Sequence, residues 1–272
     1  MILYRMENND IYIWLGGSFS PPTLAHMNIA KIGAEYIANK NPDKNIHLYF
    51  IPVNDHYNKA SVKCVNFANR SQMLMIAADA LNKETEGTNI TFGVSDIEAV
   101  EGKSTEKPVK TWRSLELFIE KYHANPENVY LMQGQDNIAD ILKGSWEKSY
   151  DLIFKSKLLC IPRTGGSTKE KLIEVINLET LIKTDTQFSD KTKEKIMDRV
   201  KIIDTIPNLI SSSELRKQIR ELLKIADPKI LEYIFEKELY RTMDCEASKG
   251  GRRKLRKTRR SSLRLGKKTR RH

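Results

Sequence analysis

The sequence predicts an α/β protein with a parallel sheet covered on both faces, and three observations carry that reading. Short apolar runs alternate with segments of helical period through most of the chain. Several of these runs are continuous rather than alternating, which marks strands buried on both sides. The first run ends at two glycines, and a polar loop and then a helical pattern follow at once, the order of a βα unit.

The elements follow in order. The run 11–15, IYIWL, is short, apolar and partly β-branched, and reads as a buried strand. From Leu24 to about Asn39, Met27, Ala30, Ala34 and Ile37 recur at helical spacing. A second strand, IHLYFIP (46–52), ends at Pro52, and Met73, Ile76, Ala77, Ala80 and Leu81 mark a helix over 67–83. Further strands are read at 90–94, 129–134, 157–163 and 200–205, with a helix at 111–123. The polar segment 98–110 reads as an exposed loop, and 180–198 shows no clean period. Two helices, about 213–223 and 228–237, form a small C-terminal helical part. The expectation is a doubly wound, Rossmann-like parallel sheet flanked by helices, with ligands at the C-terminal ends of its strands.

Charge divides the chain. Of its 46 Lys and Arg, 13 lie between Ser248 and His272, where there is no acid. Subtracting them leaves 33 bases against 35 acids, a body of about −2 carrying a basic tail. That tail is poor in apolar residues and repels itself, so disorder in isolation is expected. The domain reading is a leader at 1–10, one domain at 11–243 and the basic, disordered tail at 244–272. No apolar run approaches the ~18 residues of a membrane span. Met1 to Asp10 lacks the long apolar segment of a secretory signal. Cys64, Cys160 and Cys245 form no C-x-x-C pair, which argues against a disulfide framework or structural zinc. An intracellular location, cytoplasmic or nuclear, is expected, with no membrane partner and no protein-held metal.

Two stretches point to phosphate. Gly16 and Gly17 lack a Cβ, so backbone N–H groups there can approach an anion closely. The helix that follows directs its positive end at the same place. Thr23 and His26, three residues apart, share one helical face beside it. Near the other end, ISSSELRKQIR (210–220) puts serines at a helix start, Ser212 or Ser213 as N-cap, with Arg216 in the first turn. His47, His56 and His123 show no ligand spacing.

These stretches resemble a known family. GGSFSPPTLAH early and ISSSELR late are similar to the nucleotidyltransferase superfamily marked by a (H/T)-x-G-H-like motif. Within it the chain is identified with nicotinamide/nicotinate mononucleotide adenylyltransferases of eukaryotic-like type. IPVNDHYNKASV (51–62), TWRSL (111–115), GQD (134–136), SWEKSYDLI (145–153), CIPRTG (160–165) and ILEYIFEKELYR (230–241) match further family segments in the right order.

The resemblance implies transfer of an adenylyl group from ATP, entering with Mg²⁺, to a pyridine mononucleotide, by direct attack and without a covalent intermediate. It implies that Gly17, Ser18 and Phe19 line the mononucleotide phosphate and the reacting centre. Thr23 and His26 would contact the ATP phosphates, and Lys59 would reach the transferred phosphate. Gly134 and Asp136 would hold the adenosine ribose, while Ser212, Ser213 and Arg216 would grip the β- and γ-phosphates. Trp146 would stack on the pyridine ring, and Ser114 with Leu115 would offer backbone groups to its carboxamide or carboxylate. Three positions depart from the family pattern: Ser20 stands for Asn or Asp, Arg113-Ser114 for an acid-Thr pair, and Asn54 for glycine.

The same superfamily offers alternatives in phosphopantetheine adenylyltransferases and cytidylyltransferases. Chain length and the Trp146 region argue against the smallest of these. A class I aminoacyl-tRNA synthetase fragment shares the ancestral histidine motif but would lack a tRNA-reading domain. From another class comes a nucleic-acid or polyanion binder acting through the tail, which serves equally as a nuclear-import signal. Family members often assemble, so a homo-oligomer is among the expectations.

Overall fold

The computed structural model describes residues 9–58, 62, 65–162, 168–182, 193–203, 227–237 and 239–240. One sheet organises them: β1 (Ile11–Gly17), β2 (Ile46–Pro52), β3 (Ile90–Val94), β4 (Val129–Gly134), β5 (Lys157–Ile161) and β6 (Val200–Ile202). Their order across the sheet is β3-β2-β1-β4-β5-β6, and every pairing is parallel. Successive side chains go to opposite faces. Ile11, Ile13 and Leu15 join one core and Tyr12 and Trp14 the other, as a pleated strand covered on both sides requires. The strands read at 46–52, 90–94 and 129–134 form at those bounds.

One face carries α1 (Leu24–Lys40), α2 (Phe67–Glu84) and, from the chain's far end, a helix at Pro228–Glu236. They contribute Met27, Ala30 and Ala34, then Met73, Leu74 and Ala77, then Ile230 and Ile234, to the first core. Asn66 caps α2, accepting from the Asn69 N–H at 3.0 Å. The second face carries α3 (Ile97–Thr105), α4 (Thr111–Tyr122), α5 (Gln135–Leu142) and α6 (Ser149–Phe154). Short helices α7 (Thr168–Val175), α8 (Leu178–Ile182) and α9 (Lys193–Asp198) complete that side among the described residues, and Pro228–Glu236 is α10.

One sequence expectation is corrected. Most of segment 98–110 is helical, not loop: α3 runs to Thr105 and buries Ile97, Glu98 and Gly102. Its charged residues concealed it, because only one narrow stripe of the helix turns inward. The helix read at 213–223 lies outside the described residues, as do the leader up to residue 8 and the tail from 241.

Strand order reverses between β1 and β4. β1 leads outward through β2 and β3, β4 through β5 and β6. Such a switch point leaves a crevice at the C-terminal strand ends, where α/β proteins bind their ligands. Leu15 pairs with Met132, so Gly17 and Gly134, two residues further on, sit together at that end.

Candidate active site

The opening βα turn is built for close backbone approach. A Cβ on Gly16 would strike the Trp14 ring, and one on Gly17 would come within 2.9 Å of the Phe19 ring. Phe19 has φ 43°, a left-handed backbone that non-glycine residues seldom adopt and that clusters at functional sites. It buries the ring at 1% exposure, edge-on to Phe50 at 5.7 Å and to His26 at 5.2 Å. Glycines and a tightly folded aromatic thus leave the Gly17–Ser18 backbone at the crevice.

Thr23 is the N-cap of α1 and is fully buried. Its backbone N–H donates to His26 Nδ1 at 3.1 Å, and its hydroxyl lies 2.7 Å from the same nitrogen. A nitrogen that accepts from a backbone amide carries no proton of its own. The neutral imidazole therefore holds its hydrogen on Nε2, and the Thr23 hydroxyl also donates to Nδ1. The result is a histidine whose orientation is fixed from behind and whose outer nitrogen is a donor, at the positive end of a 17-residue helix.

Across the switch point, Gly134 ends β4 and is the N-cap of α5, with no side-chain bond over the helix start. No atom lies within 4 Å of where a Cβ on Gly134 would project, so the space there is open. Asp136 is exposed in the first turn of α5. Cys160, on neighbouring β5, is buried and its thiol is pushed up to about 12 by burial and then by Asp136, which removes it as a nucleophile.

The structure brings Gly17, Ser18, Phe19, Thr23, His26, Gly134 and Asp136 to one end of the sheet. Ser114 and Leu115 lie in α4, with side chains 0% and 1% exposed. The Ser114 N–H is already bonded to the Lys110 carbonyl at 2.9 Å. A helix leaves its first N–H groups without intrahelical partners, so the backbone donors here shift upstream to Thr111, Trp112 and Arg113. Trp146 is half-buried in a turn closed by Ser149, whose hydroxyl donates to the Trp146 carbonyl at 2.8 Å. It packs against the same core as Trp112. Trp112 meets the turn directly: its Nε1 donates to Glu147 at 3.1 Å and Lys148 lies 3.4 Å from its ring centroid. Lys59, Ser212, Ser213 and Arg216 lie outside the described residues, as does Arg163.

Sequence reasoning passed over a buried cation. Arg70, on α2, is 0% exposed. Its guanidinium donates to the Val65 carbonyl at 3.0 Å, the Ser18 carbonyl at 3.1 Å and the Asp55 carboxylate at 3.0 Å. Burial lowers its pKa, and Asp55 raises it again. One side chain thus ties the opening loop to the loop after β2, which leads toward Lys59. The Val53 N–H donates to the Gly17 carbonyl at 3.0 Å and adds a second tie. Next to Arg70, Asn54 is 2% exposed and donates to the Lys107 carbonyl at 2.8 Å. Gly102 makes room for it, since a Cβ there would fall against the Asn54 side chain. Glu98, 3% exposed, completes the cluster.

A doubly wound parallel sheet with a switch point between β1 and β4 defines a Rossmann-like α/β protein. Its particular family follows from the sequence: the chain belongs to the cytidylyltransferase-like family, whose model matches residues 14–218. Among solved structures, Plasmodium falciparum nicotinic acid mononucleotide adenylyltransferase complexed with APC is similar, with TM-score 0.52 and 22% identity over 85% of this chain and 97% of that one. At that identity the likeness is one of fold. The cypemycin decarboxylase CypD aligns with TM-score 0.26 and 13% identity over 72% of this chain and 84% of its own, which carries no argument. No curated protein matches in sequence.

Proposed function

We propose that the protein transfers an adenylyl group from ATP to nicotinamide or nicotinate mononucleotide, releasing pyrophosphate and forming the dinucleotide. The observation that carries this reading is the Thr23–His26 arrangement, an imidazole anchored at Nδ1 by Thr23 at the start of α1, the helix that follows the Gly16–Gly17 turn. Family membership supports a nucleotidyltransferase. That the similar Plasmodium protein is a nicotinic acid mononucleotide adenylyltransferase supports the pyridine mononucleotide.

The chemistry asks little of a base. The nucleophile is a phosphate oxygen, mostly ionised at neutral pH because the second pKa of a phosphate monoester is ~6. It attacks the α-phosphorus in line, and the bond to the leaving pyrophosphate breaks as the new P–O bond forms. The protein's task is to align two polyanions and neutralise charge that moves onto the leaving group. In this reading the Gly17–Ser18 backbone and the start of α1 receive the phosphates, and His26 Nε2–H donates to the developing charge. Gly134 and Asp136 hold the ribose. Lys59, Ser212, Ser213 and Arg216 add cations and hydroxyls. Mg²⁺ enters with ATP as part of the substrate, since this ion keeps its waters and seldom needs a protein cage.

The direct test incubates the protein with ATP, Mg²⁺ and nicotinamide mononucleotide, and couples any NAD formed to a dehydrogenase. Parallel reactions use the acid mononucleotide, with direct detection of the dinucleotide, and phosphopantetheine. Dinucleotide from either pyridine substrate supports the proposal; product from phosphopantetheine alone overturns it. Trp146→Ala should weaken mononucleotide binding about tenfold, the scale of one base–aromatic stack. Unchanged binding by calorimetry would assign that ring to packing.

The tail supports a second, separable property. Its 13 positive charges favour salt-dependent binding to nucleic acid or another polyanion, or recognition by a nuclear-import receptor. Deleting 248–272 should leave turnover intact and abolish retention on a polyanion column. Loss of turnover would refute this division of labour.

A further inference from the structure

The loop from β1 to α1 is held at each end by hydrogen bonds to its backbone. Gly17 accepts from Val53 and Ser18 from Arg70, while Thr23 is fixed by the cap of α1. Between them lie Ser20, Pro21 and Pro22, and the two prolines bring no N–H donor. Ser20 is fully buried, and its hydroxyl lies 3.0 Å from the Tyr240 hydroxyl, 220 residues away in sequence.

Tyr240 is itself held in a defined place. It follows α10, whose end is closed by the Leu239 N–H donating to the Ile234 carbonyl at 3.0 Å. Its φ is +60°, a left-handed value that a tyrosine adopts only where its surroundings require it. Leu239 and Tyr240 pack against the first core. Within α10, Tyr233 donates to Asn69 at 2.8 Å, the residue before Arg70. The end of the domain thus reaches the opening loop at Ser20.

We propose that Tyr240 is a positioning residue for the transfer reaction, acting through the Ser20 hydroxyl to fix the loop that carries Gly17, Ser18 and Thr23 against the crevice. This rests on the adenylyl-transfer reading above. The loop places backbone groups around the reacting centre, where small displacements act on the chemical step more than on ground-state binding. A ring that only fills space would instead affect stability and leave the kinetics of folded protein alone.

The experiment compares the full-length chain with Tyr240→Phe, Ser20→Ala and the double variant, using ATP, Mg²⁺ and each pyridine mononucleotide. The expected result is a loss of kcat of about five- to tenfold in each single variant, with KM for both substrates within about twofold of wild type. The double variant should be no slower than either single one, because both remove the same bond. Wild-type kcat in the folded single variants, or losses that multiply in the double, would overturn the proposal. Ser20→Ala removes one oxygen and leaves α10 untouched, so it decides the matter should Tyr240→Phe fail to fold. A wild-type chain inactive with both mononucleotides would sink the reaction assignment, and this inference with it. An active wild type with unaffected variants would sink this inference alone.

Discussion

Replacing His26 by alanine is expected to cut turnover about 10²–10³-fold, the scale for losing one donor aimed at developing charge in a dry site. The side chain is preorganised. Thr23 donates to Nδ1 from its backbone at 3.1 Å and stands 2.7 Å away with its hydroxyl, so the ring is anchored with its hydrogen on Nε2. Donation from Nε2 needs no change of protonation, which makes such a group effective in the transition state. Folding should survive. His26 is half-buried, and truncation leaves the Thr23 hydroxyl still accepting from the residue 26 N–H, 3.4 Å away in the present structure. Steady-state kcat together with far-UV circular dichroism checks both halves. Near-normal turnover in a folded variant would remove the imidazole from the reaction.

The sheet was legible because its strands carry the pattern that burial on both faces imposes. Apolar runs such as Val129–Gly134 have no polar face to confuse them with a surface strand. The opening loop was legible for a different reason: glycines, prolines and a capping threonine each restrict the backbone in a known way. Helix α3 was not, since Glu98 and Glu101 look like surface residues when read one position at a time. Arg70 escaped on similar grounds. Within an amphipathic helix an arginine reads as solvent-facing, and its three acceptors lie at Ser18, Asp55 and Val65. Only the folded chain brings those together. Ser20 was visible as a departure from the family pattern, but its partner Tyr240 was not, because no local rule connects residues 220 apart.

Arg70 and Tyr240 show how the site is supported. The loop between β1 and α1 contributes mainly backbone and short side chains, which have little means of fixing their own position. The fixing comes from behind, from a buried guanidinium on α2 and a phenol at the end of α10, both on the first-core side of the sheet. On the adenylyl-transfer reading, bare N–H groups and glycines face the substrate, and rigidity comes from residues that do not meet it.

The same cluster makes stability depend on pH. Glu98 is pushed up from 4.5 to about 7, first by burial; the Ser114 hydroxyl, the Asn54 backbone and the Arg70 charge pull it partway back. Glu98 Oε2 and the Ser114 hydroxyl do not reach hydrogen-bonding geometry with each other, so the Ser114 contribution is weak and burial outweighs what Asn54 and Arg70 return to the carboxylate. A carboxyl raised in the folded state binds its proton more tightly there than in the unfolded chain. Its contribution is fully present below about 4.5 and is lost as pH rises through about 7. A shift of that size corresponds to about 3 kcal/mol. Glu98→Gln keeps the shape and cannot ionise, so it should lack this slope. Urea denaturation at pH 5 and pH 8 should show wild type losing about 2.5 kcal/mol more than the variant between the two. Groups elsewhere titrate alike in both proteins and cancel in the comparison. Parallel losses in the two proteins would mean that Glu98 is solvated or fully bonded in solution, and that the space between α3 and α4 is wetter than the packing of Glu98 and Ser114 implies.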